Sequence, residues 1–431
     1  MGITVFRGAR LFLPVALCLL AVSPVVAETQ VLSLRQAIET ALNNNPDIAS
    51  FRKEAGIFDA ATVRAGLLPN PTLELEGETG ALTGSSADNN LSIGINQEFQ
   101  LGDKRHKRTV VAERDAVAYR WQVLDRERLL KEQVQGAYYD ALLARERLAL
   151  AHQSIALNKQ LLQVAEDRFA AGDIAELEVY LVKLELTRSE GGRIDIDRAL
   201  LDADARLASL LSIAPGEAPT LSGKLDADLP QPATLSDLKN QALKSRPDLK
   251  AADAAVHKGD AEVALAEAEA VPNLTAGLSL NREASSMEIG GIEGRETAYT
   301  VGMKLSIPIP LFNRNRAGVQ EARVKQDSAQ IRAKAAASGV EREVENAYAG
   351  LSNAEKVVSL YKSNIIAQLE ENLRLTQEAY RLGEVGILAV IEEQKKFFEV
   401  SDGYLTALHA RQMAMAKVES AVAADMNGGE Q

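Results

Sequence analysis

The sequence YRLGEVGILAV, residues 380–390, interrupts a long helical pattern near the C-terminus. Gly383 and Gly386 lie three residues apart between apolar residues at helical spacing, which predicts the end of one helix, a tight reversal and the start of the next. A second sequence, RFAAGDIAELEV at residues 168–179, has the same arrangement. The two stretches predict that the chain contains one helical hairpin twice.

An internal duplication extends well beyond these turns. At the turns, the aligned pairs are Gly172 with Gly383, Asp173 with Glu384 and Val179 with Val390. Nearer the start of each half, Ser33, Leu34, Pro46 and Pro71 align with Thr234, Leu235, Pro247 and Pro272. We therefore predict a first repeat at 28–214, a proline-rich linker at 215–232 and a second repeat at 233–426.

The composition predicts a folded, mainly helical and exported protein. Hydrophobic residues make up 46% of the chain and aromatic residues only 4%, which favours long helices that pack through small side chains. Residues 1–27 place two arginines before an apolar run that ends in small residues, which predicts a secretory signal peptide. Cys18, the only cysteine, lies inside this segment, so acylation at Cys18 is a minor alternative. Residues 427–431 are predicted to be a flexible tail.

Charge and motif content exclude several classes of function. The formal net charge of −12 argues against nucleic acid as a partner. The histidines lie far apart in sequence without ligand spacing, and there is no nucleotide loop or catalytic cluster, so we expect no metal site, no cofactor and no enzyme activity. No segment after residue 27 has the roughly 18 uninterrupted apolar residues of a transmembrane helix. A part that spans a membrane would have to consist of strands.

Alternating apolar and polar residues predict four strands, two in each repeat. Their expected bounds are about 72–80 and 91–100 in the first repeat, and about 273–282 and 298–308 in the second. A polar loop is predicted inside each pair. The alternation places several charged side chains on one polar face, which we expect to line a lumen: Glu74, Glu76, Glu78, Glu98 and Lys304.

Each strand pair leads into a very long helix without proline. These helices, Lys104 to Ala170 and Asn313 to Leu382, would each be on the order of 100 Å long at ~1.5 Å per residue. Each reverses at its glycine turn into a returning helix, about Glu176 to Leu211 and Ile387 to Met426. Alternating steps of three and four residues predict a coiled-coil seam at Ile366, Leu369, Leu373, Thr376 and Tyr380.

Four amphipathic strands are too few to close a barrel, which needs about eight, and lipid forbids an open sheet edge. Several chains would therefore have to share one barrel, with the apolar face toward lipid and the polar face toward water. The long helical hairpins would then extend into the periplasm. The alternative is a periplasmic coiled-coil scaffold protein whose strands form a soluble sheet.

The order of signal peptide, helix, strand pair, long helix, glycine turn and returning helix, present twice, resembles the TolC family of outer-membrane efflux channels. The resemblance covers residues 34–426. The motif IPIPLFNRNR at 307–316, together with LPNP at 68–71, is similar to the CzcC-type branch of the family, the channels of cation-exporting systems.

The resemblance implies a mainly α fold with a small β part, and a homotrimer whose three four-stranded sheets form one 12-stranded barrel in outer-membrane lipid, above a periplasmic barrel of helices. It also implies two further partners, a periplasmic adaptor and an inner-membrane pump of the resistance-nodulation-division type. The expected cargo is divalent heavy-metal cations such as cobalt, zinc, cadmium or nickel. Drug efflux and type I protein secretion are the alternatives, because the same fold serves all three.

The resemblance also implies roles for the glycine turns, which in the family form the periplasmic tips where the channel narrows and the adaptor docks. The corresponding residues here are Arg168, Gly172, Asp173, Tyr380, Gly383, Glu384 and Gly386. Glu178 and Tyr380 occupy the positions that hold the tip closed in the family, and Glu392 occupies an acidic position of the narrowest ring.

Two other positions depart from the family pattern. Val385 and Ala389 stand where the family usually carries charged residues. We therefore expect the tip to be held closed less by ion pairs than by the packing of Ile387, Leu388 and Val390.

Overall fold

The computed structural model describes residues 31–82, 87–214, 219–290, 292–363 and 365–425. The predicted signal peptide and C-terminal tail lie outside the described residues. The helices are α1 (Leu34–Asn44), α2 (Pro46–Ala65), α3 (Lys104–Ala170), α4 (Glu176–Leu211), α5 (Leu235–Ser245), α6 (Pro247–Glu269), α7 (Arg316–Lys362), α8 (Ile365–Arg381) and α9 (Ile387–Val422), and the strands are β1 (Thr72–Thr79), β2 (Asn89–Phe99), β3 (Leu274–Ile289) and β4 (Ile292–Ser306).

Each half of the chain has the same order of elements, a pair of short helices, two strands and a long helical hairpin. The short helices start on matching sequence signals, because Ser33 caps α1 through a capping box and Thr234 caps α5 through the backbone amide of Asp237. Pro46 and Pro247 occupy the first position of the following helices, where a missing amide hydrogen has no cost.

The strands form one antiparallel sheet in the order β1-β2-β3-β4 among the described residues. Leu73, Ile95, Leu278 and Met303 lie opposite one another across the four strands. The neighbouring row is polar and consists of Glu74, Gly94, Ser279 and Gly302. Because neighbouring residues of a strand point to opposite faces, the sheet has the apolar face and the polar face that the sequence predicts.

The second strand pair is longer than predicted. We expected strands at about 273–282 and 298–308 with a loop between them, but β3 and β4 stay paired from Thr275 and Ser306 up to Ile289 and Ile292. The prediction was wrong because the apolar alternation stops at Arg282 and Tyr299, whereas the cross-strand hydrogen bonds continue through polar residues. Backbone pairing does not require apolar side chains at a sheet edge that water can reach.

The long helices follow the predicted bounds in the first repeat and depart from them in the second. The predicted helix Lys104 to Ala170 is confirmed as α3, which has 67 residues and is therefore on the order of 100 Å long. The predicted helix Asn313 to Leu382 is instead divided into α7 and α8. Ser363 leaves the helical conformation, and its hydroxyl donates to the Leu360 carbonyl oxygen at 2.6 Å, a local bond that competes with the helix ladder.

Three buried clusters hold the hairpins together. The largest joins α1, α3, α4 and α9 around Val134, Leu207 and Leu408, and a second joins α5, α7 and α9 around Leu238 and Val344. The third lies at the glycine turns. The hairpins therefore pack along their length, and the helix ends beside the turns have a buried cluster of their own.

Arg246 is the most buried arginine that forms ion pairs in the described part of the chain. Its guanidinium donates to both carboxylate oxygens of Asp248 at 3.0 and 2.7 Å, and to Glu343 and the Ala421 carbonyl oxygen at 2.7 and 3.1 Å. Burial opposes ionisation of Asp248, but the hydrogen bonds and charge of Arg246 lower the pKa of that carboxyl below its usual value. The stability that this contributes is lost as the pH falls through the lowered pKa of Asp248.

We expect Arg246→Ala to lower the free energy of unfolding by about 3 kcal/mol, because it leaves a half-buried carboxylate without its partner. Thermal unfolding of the purified protein at neutral pH measures this change. Arg120→Ala is the matched control, because Arg120 pairs with Asp59 at 2.7 Å on the exposed surface and its loss should cost less than about 1 kcal/mol. Equal effects of the two substitutions would contradict the prediction.

Candidate functional site at the hairpin tips

The two glycine turns have the same backbone geometry. Gly172 and Gly383 have φ values of 83° and 80°, the left-handed conformation that ends a helix and favours glycine. In each turn the next residue, Asp173 or Glu384, donates its amide hydrogen to the carbonyl oxygen five residues earlier, at 3.0 and 2.9 Å. Gly386 instead has extended backbone, with φ −83° and ψ 161°, so its conformation does not require glycine.

Arg168 connects the two tips within one chain. It lies at the end of α3, and its Nη1 donates to the carbonyl oxygen of Tyr380 at 2.6 Å. Its guanidinium carbon also lies 4.8 Å from the centre of the Tyr380 ring, which is cation–π geometry. The side chain approaches the second turn so closely that a Cβ on Gly383 would be 3.3 Å from Arg168 Nη2.

Tyr380 is buried beside Glu178, which is itself half-buried. Tyr380 is 1% exposed, and neither its hydroxyl nor the buried Oε2 of Glu178 has a hydrogen-bond partner among the described residues. Burial raises the pKa of the Tyr380 phenol, and the charge of Glu178 acts in the same direction. Within the described chain, Arg168 contacts both the carbonyl oxygen and the ring of Tyr380, and Glu178 is close enough to act on its hydroxyl by charge.

The tips share a small apolar core. Tyr380, Ile387 and Val390 pack there against residues of the first hairpin, Leu161, Ala165, Val179 and Val182. The expected packing of Ile387 and Val390 is therefore confirmed. Leu388 does not pack in this cluster, because its side chain is 59% exposed within the chain. Its position directly after a buried helical residue turns it away from the contact face.

Glu392 lies apart from the cluster at Tyr380. It is exposed on α9 and forms no ion pair within the described chain, whereas its neighbour Glu393 pairs with Lys396 at 2.8 Å. Asp173 and Glu384 are also exposed, at the outer surface of the turns. The structure therefore brings Arg168, Glu178 and Tyr380 together and leaves the other acidic residues open to solvent.

Sequence analysis missed two buried amides on the helices that lead to and from the tips. Asn158 on α3 and Gln394 on α9 are 3% and 4% exposed, and each has buried polar atoms without a hydrogen-bond partner in the described structure. Heptad spacing could have found them, because Asn158 lies between Ile155 and Leu161 in the buried face of α3. A polar residue at such a position specifies register at a cost in stability.

The polar face of the sheet contains all the charged residues that the alternation placed there. The pairing puts Glu74, Glu76 and Glu78 on edge strand β1, and Lys304 on the opposite edge strand β4. Glu98 lies on β2 and accepts a hydrogen bond from the side-chain amide of Asn273. The three glutamates of β1 are thus separated from Lys304 by two strands, on the order of 14 Å at ~4.8 Å per strand.

Among the described residues there is neither a group that could hold a metal ion nor a helix that could span a membrane. Histidine, cysteine, aspartate and glutamate form no group of three or more that could hold a metal ion within the described ranges. In the same part of the chain, none of the helices has the length and apolarity that a membrane span requires.

Comparison with known proteins identifies the relatives of this chain. The sequence profile of the family described as Outer membrane efflux protein matches residues 37–212 and 238–424. Cobalt-zinc-cadmium resistance protein CzcC of Cupriavidus metallidurans is 24% identical over 95% of this chain and 98% of its own length. Pyoverdine export outer membrane protein OpmQ of Pseudomonas putida is 24% identical over 86% of this chain and 81% of its own length.

Solved structures share the fold. A crystal structure of CusC superposes with a TM-score of 0.75 and 19% identity, covering 91% of this chain and 92% of that chain. The similarity therefore extends over the sheet and both helical hairpins.

Proposed function

Because this chain belongs to the outer membrane efflux protein family, we propose that it forms the exit channel of a tripartite efflux system. The observation that carries this proposal is the two-faced sheet. Its exposed apolar rows suit lipid, and its opposite face, with Glu74, Glu76 and Lys304, suits a water-filled path. The channel itself would catalyse no reaction, and an inner-membrane pump of the resistance-nodulation-division type would supply the energy through a periplasmic adaptor.

The working unit in this proposal is a homotrimer. β1 and β4 are the edges of the sheet, and unpaired edges are costly in lipid. Three copies joined β4 to β1 would remove every edge and give a barrel of twelve strands. The same joint would bring Lys304 of one copy next to the acidic edge strand of the next, which supports this closure by charge complementarity.

The proposed cargo is divalent heavy-metal cations such as cobalt, zinc, cadmium or nickel. The support is the name of the relative that spans nearly the whole chain, CzcC, together with the acidic polar face of the sheet. Carboxylates concentrate cations near a narrow aqueous path. Export of drugs or other organic molecules is the alternative, in line with the OpmQ relative.

The cargo is tested by deleting the gene and measuring growth inhibition by zinc, cobalt, cadmium and nickel against a drug panel. We expect greater sensitivity to metals, restored by the intact gene. The pump genes that remain in the strain should be deleted in parallel, so that redundancy does not hide the effect. Unchanged metal tolerance together with greater drug sensitivity would assign the channel to organic cargo.

At the periplasmic end, we propose that the glycine turns form the narrow mouth and the adaptor-docking surface. The surface would include Gly172, Asp173, Gly383, Glu384 and Gly386, which lie exposed at the turns. Arg168, Glu178 and Tyr380 would hold the tips closed. Glu392 would contribute one carboxylate from each chain to the narrow ring.

We expect Glu392→Gln to reduce the preference of the closed channel for cations, because it removes three charges from the proposed constriction. Reversal potentials across a planar bilayer with a salt gradient measure this preference. Glu393→Gln is the matched control, because Glu393 is already neutralised by Lys396. An equal change in both variants would show that Glu392 does not line the constriction.

A further inference from the structure

The ten residues from Ile307 to Arg316 lead from the end of β4 to the first residue of α7 and form a surface that the channel function leaves unexplained. We call this segment the collar. Its apolar residues are unusually exposed: Ile307, Ile309, Leu311 and Phe312, with Phe312 at 100% and Ile309 at 77%. Large apolar side chains that are exposed together mark an interaction surface.

The collar continues the apolar face of β4. In that strand Tyr299, Val301, Met303 and Leu305 are all exposed, and the two-residue step continues to Ile307 and Ile309. The residues before proline keep extended backbone, so Pro308 and Pro310 preserve this direction past the end of the strand. The chain turns only at Pro310, where the Leu311 amide donates to the Ile309 carbonyl oxygen at 2.9 Å.

A second copy of the chain is a poor occupant for this surface. Proline has no amide hydrogen, so two prolines in three residues cannot extend the pairing of an edge strand. The collar therefore stays outside the sheet-to-sheet joint of the proposed trimer. The apolar side chains of the collar therefore lie next to the apolar rows of the sheet that face lipid in the proposed trimer, on the side toward the helices.

Two side-chain hydrogen bonds hold the collar in place. Asn315 precedes α7 in the left-handed conformation, φ 53°, and its side-chain amide donates to the Ala266 carbonyl oxygen at the end of α6 at 2.8 Å. Arg314 Nε donates to the Pro310 carbonyl oxygen at 3.3 Å. These bonds fix Phe312 at a defined height between the sheet and the helices.

The charged side chains of the collar itself are basic, and Glu269 at the end of α6 accepts a hydrogen bond from the Asn315 side chain at 3.4 Å. Arg314 and Arg316 are exposed and form no ion pair with other described residues, and the first turn of α7 contains no acidic residue. The first turn of α3, at the same end of the molecule, also lacks acidic residues and contains the exposed Arg105, whereas Lys104 is buried and bonded to Val271 and Asn273. A helix N-terminus favours negative charge, so this end of the molecule is complementary to an anion.

We infer that the collar binds the headgroup layer of anionic phospholipid at the periplasmic face of the outer membrane. Leu311 and Phe312 insert below the headgroups, and Arg314 and Arg316 bind lipid phosphates. This inference rests on the proposed channel function, which places the apolar face of the sheet in lipid. It adds a lipid contact that sets the depth of the barrel in the membrane.

Depth-dependent fluorescence quenching tests the insertion. The chain has one tryptophan, so Trp121→Phe provides a dark background for single reporters. We expect phospholipid brominated near the glycerol to quench the tryptophan of Phe312→Trp, and phospholipid brominated deeper in the acyl chains to quench that of Val301→Trp. The tryptophan of Leu382→Trp, at the tip, should stay unquenched. If only Val301→Trp is quenched, the collar inference fails and the channel proposal stands. If Val301→Trp is also unquenched, the channel proposal itself fails.

Retention of lipid by the purified trimer tests whether Arg314 and Arg316 bind lipid phosphates. We expect the intact trimer to retain phosphatidylglycerol over phosphatidylcholine in native mass spectrometry, and the double variant Arg314→Gln/Arg316→Gln to lose about thirtyfold of this preference. Arg332→Gln/Arg342→Gln is the matched control, with the same charge change on exposed residues further along α7. An equal loss in the control, or removal of the preference by inorganic phosphate alone, would overturn lipid binding by Arg314 and Arg316.

Discussion

Replacing Arg168 with alanine is expected to open the periplasmic tips and to raise single-channel conductance in planar lipid bilayers. The substitution removes the hydrogen bond to the Tyr380 carbonyl and the contact with its ring. Together these contribute about 2 kcal/mol at each tip, so the balance between closed and open tips should shift by about thirtyfold. Each of the three chains of the proposed trimer would lose this connection between its two tips.

Two controls separate this effect from a general change of charge or of packing. Arg381→Ala removes an arginine from the same turn and should leave conductance unchanged, because among the described residues Arg381 forms one exposed ion pair, with Glu378 at 4.0 Å. Tyr380→Phe keeps the ring and the carbonyl group that Arg168 contacts. A conductance increase for Arg381→Ala as large as that for Arg168→Ala would contradict the role of Arg168. A large increase for Tyr380→Phe would assign the closure to a bond of the hydroxyl with a neighbouring chain.

A second large effect is expected from Val301→Arg, which should prevent stable assembly in the outer membrane. Val301 is 80% exposed in the middle of the apolar face of β4. Arginine at the bilayer midplane of a β-barrel costs about 2–4 kcal/mol, and a trimer would carry three copies. Semi-native electrophoresis of the outer-membrane fraction measures the amount of trimer, which should fall to background.

Thr300→Arg is the control, because it places the same charge on the opposite face of the same strand. Thr300 precedes Val301 in the same strand and points to the polar face, in the row of Glu76 and Ser92. The same arginine there would meet water and nearby carboxylates, so trimer should persist. Loss of trimer in both variants, or in neither, would mean that the two faces do not differ in their surroundings.

Much of the fold follows from local sequence signals. The helix caps at Ser33 and Thr234, the proline starts at Pro46 and Pro247, and the two left-handed glycines act over a few residues, so the sequence predicts them directly. The apolar alternation of β2 likewise predicts which of its side chains share a face. Each of these features depends on residues that are close in sequence.

The missed features depend on contacts between distant parts of the chain. The contact of Arg168 with Tyr380 joins residues 212 positions apart, and neither residue indicates its partner by spacing. The extension of β3 and β4 through polar residues depends on hydrogen bonds between backbones. The exposure of Leu388 follows from which face of α9 the first hairpin covers, and that face is set by packing.

The open edges at β1 and β4 have a genetic consequence. A single sheet cannot enter lipid with unpaired edges, so membrane insertion and association of three chains would be one event. A variant chain with damage only at the β4 edge would still pair with an intact chain through β1. The resulting trimer could not close its barrel. When both forms are made in equal amounts, only roughly one trimer in eight contains intact chains alone. Edge variants should therefore be dominant over the intact gene, whereas variants that never fold should be recessive.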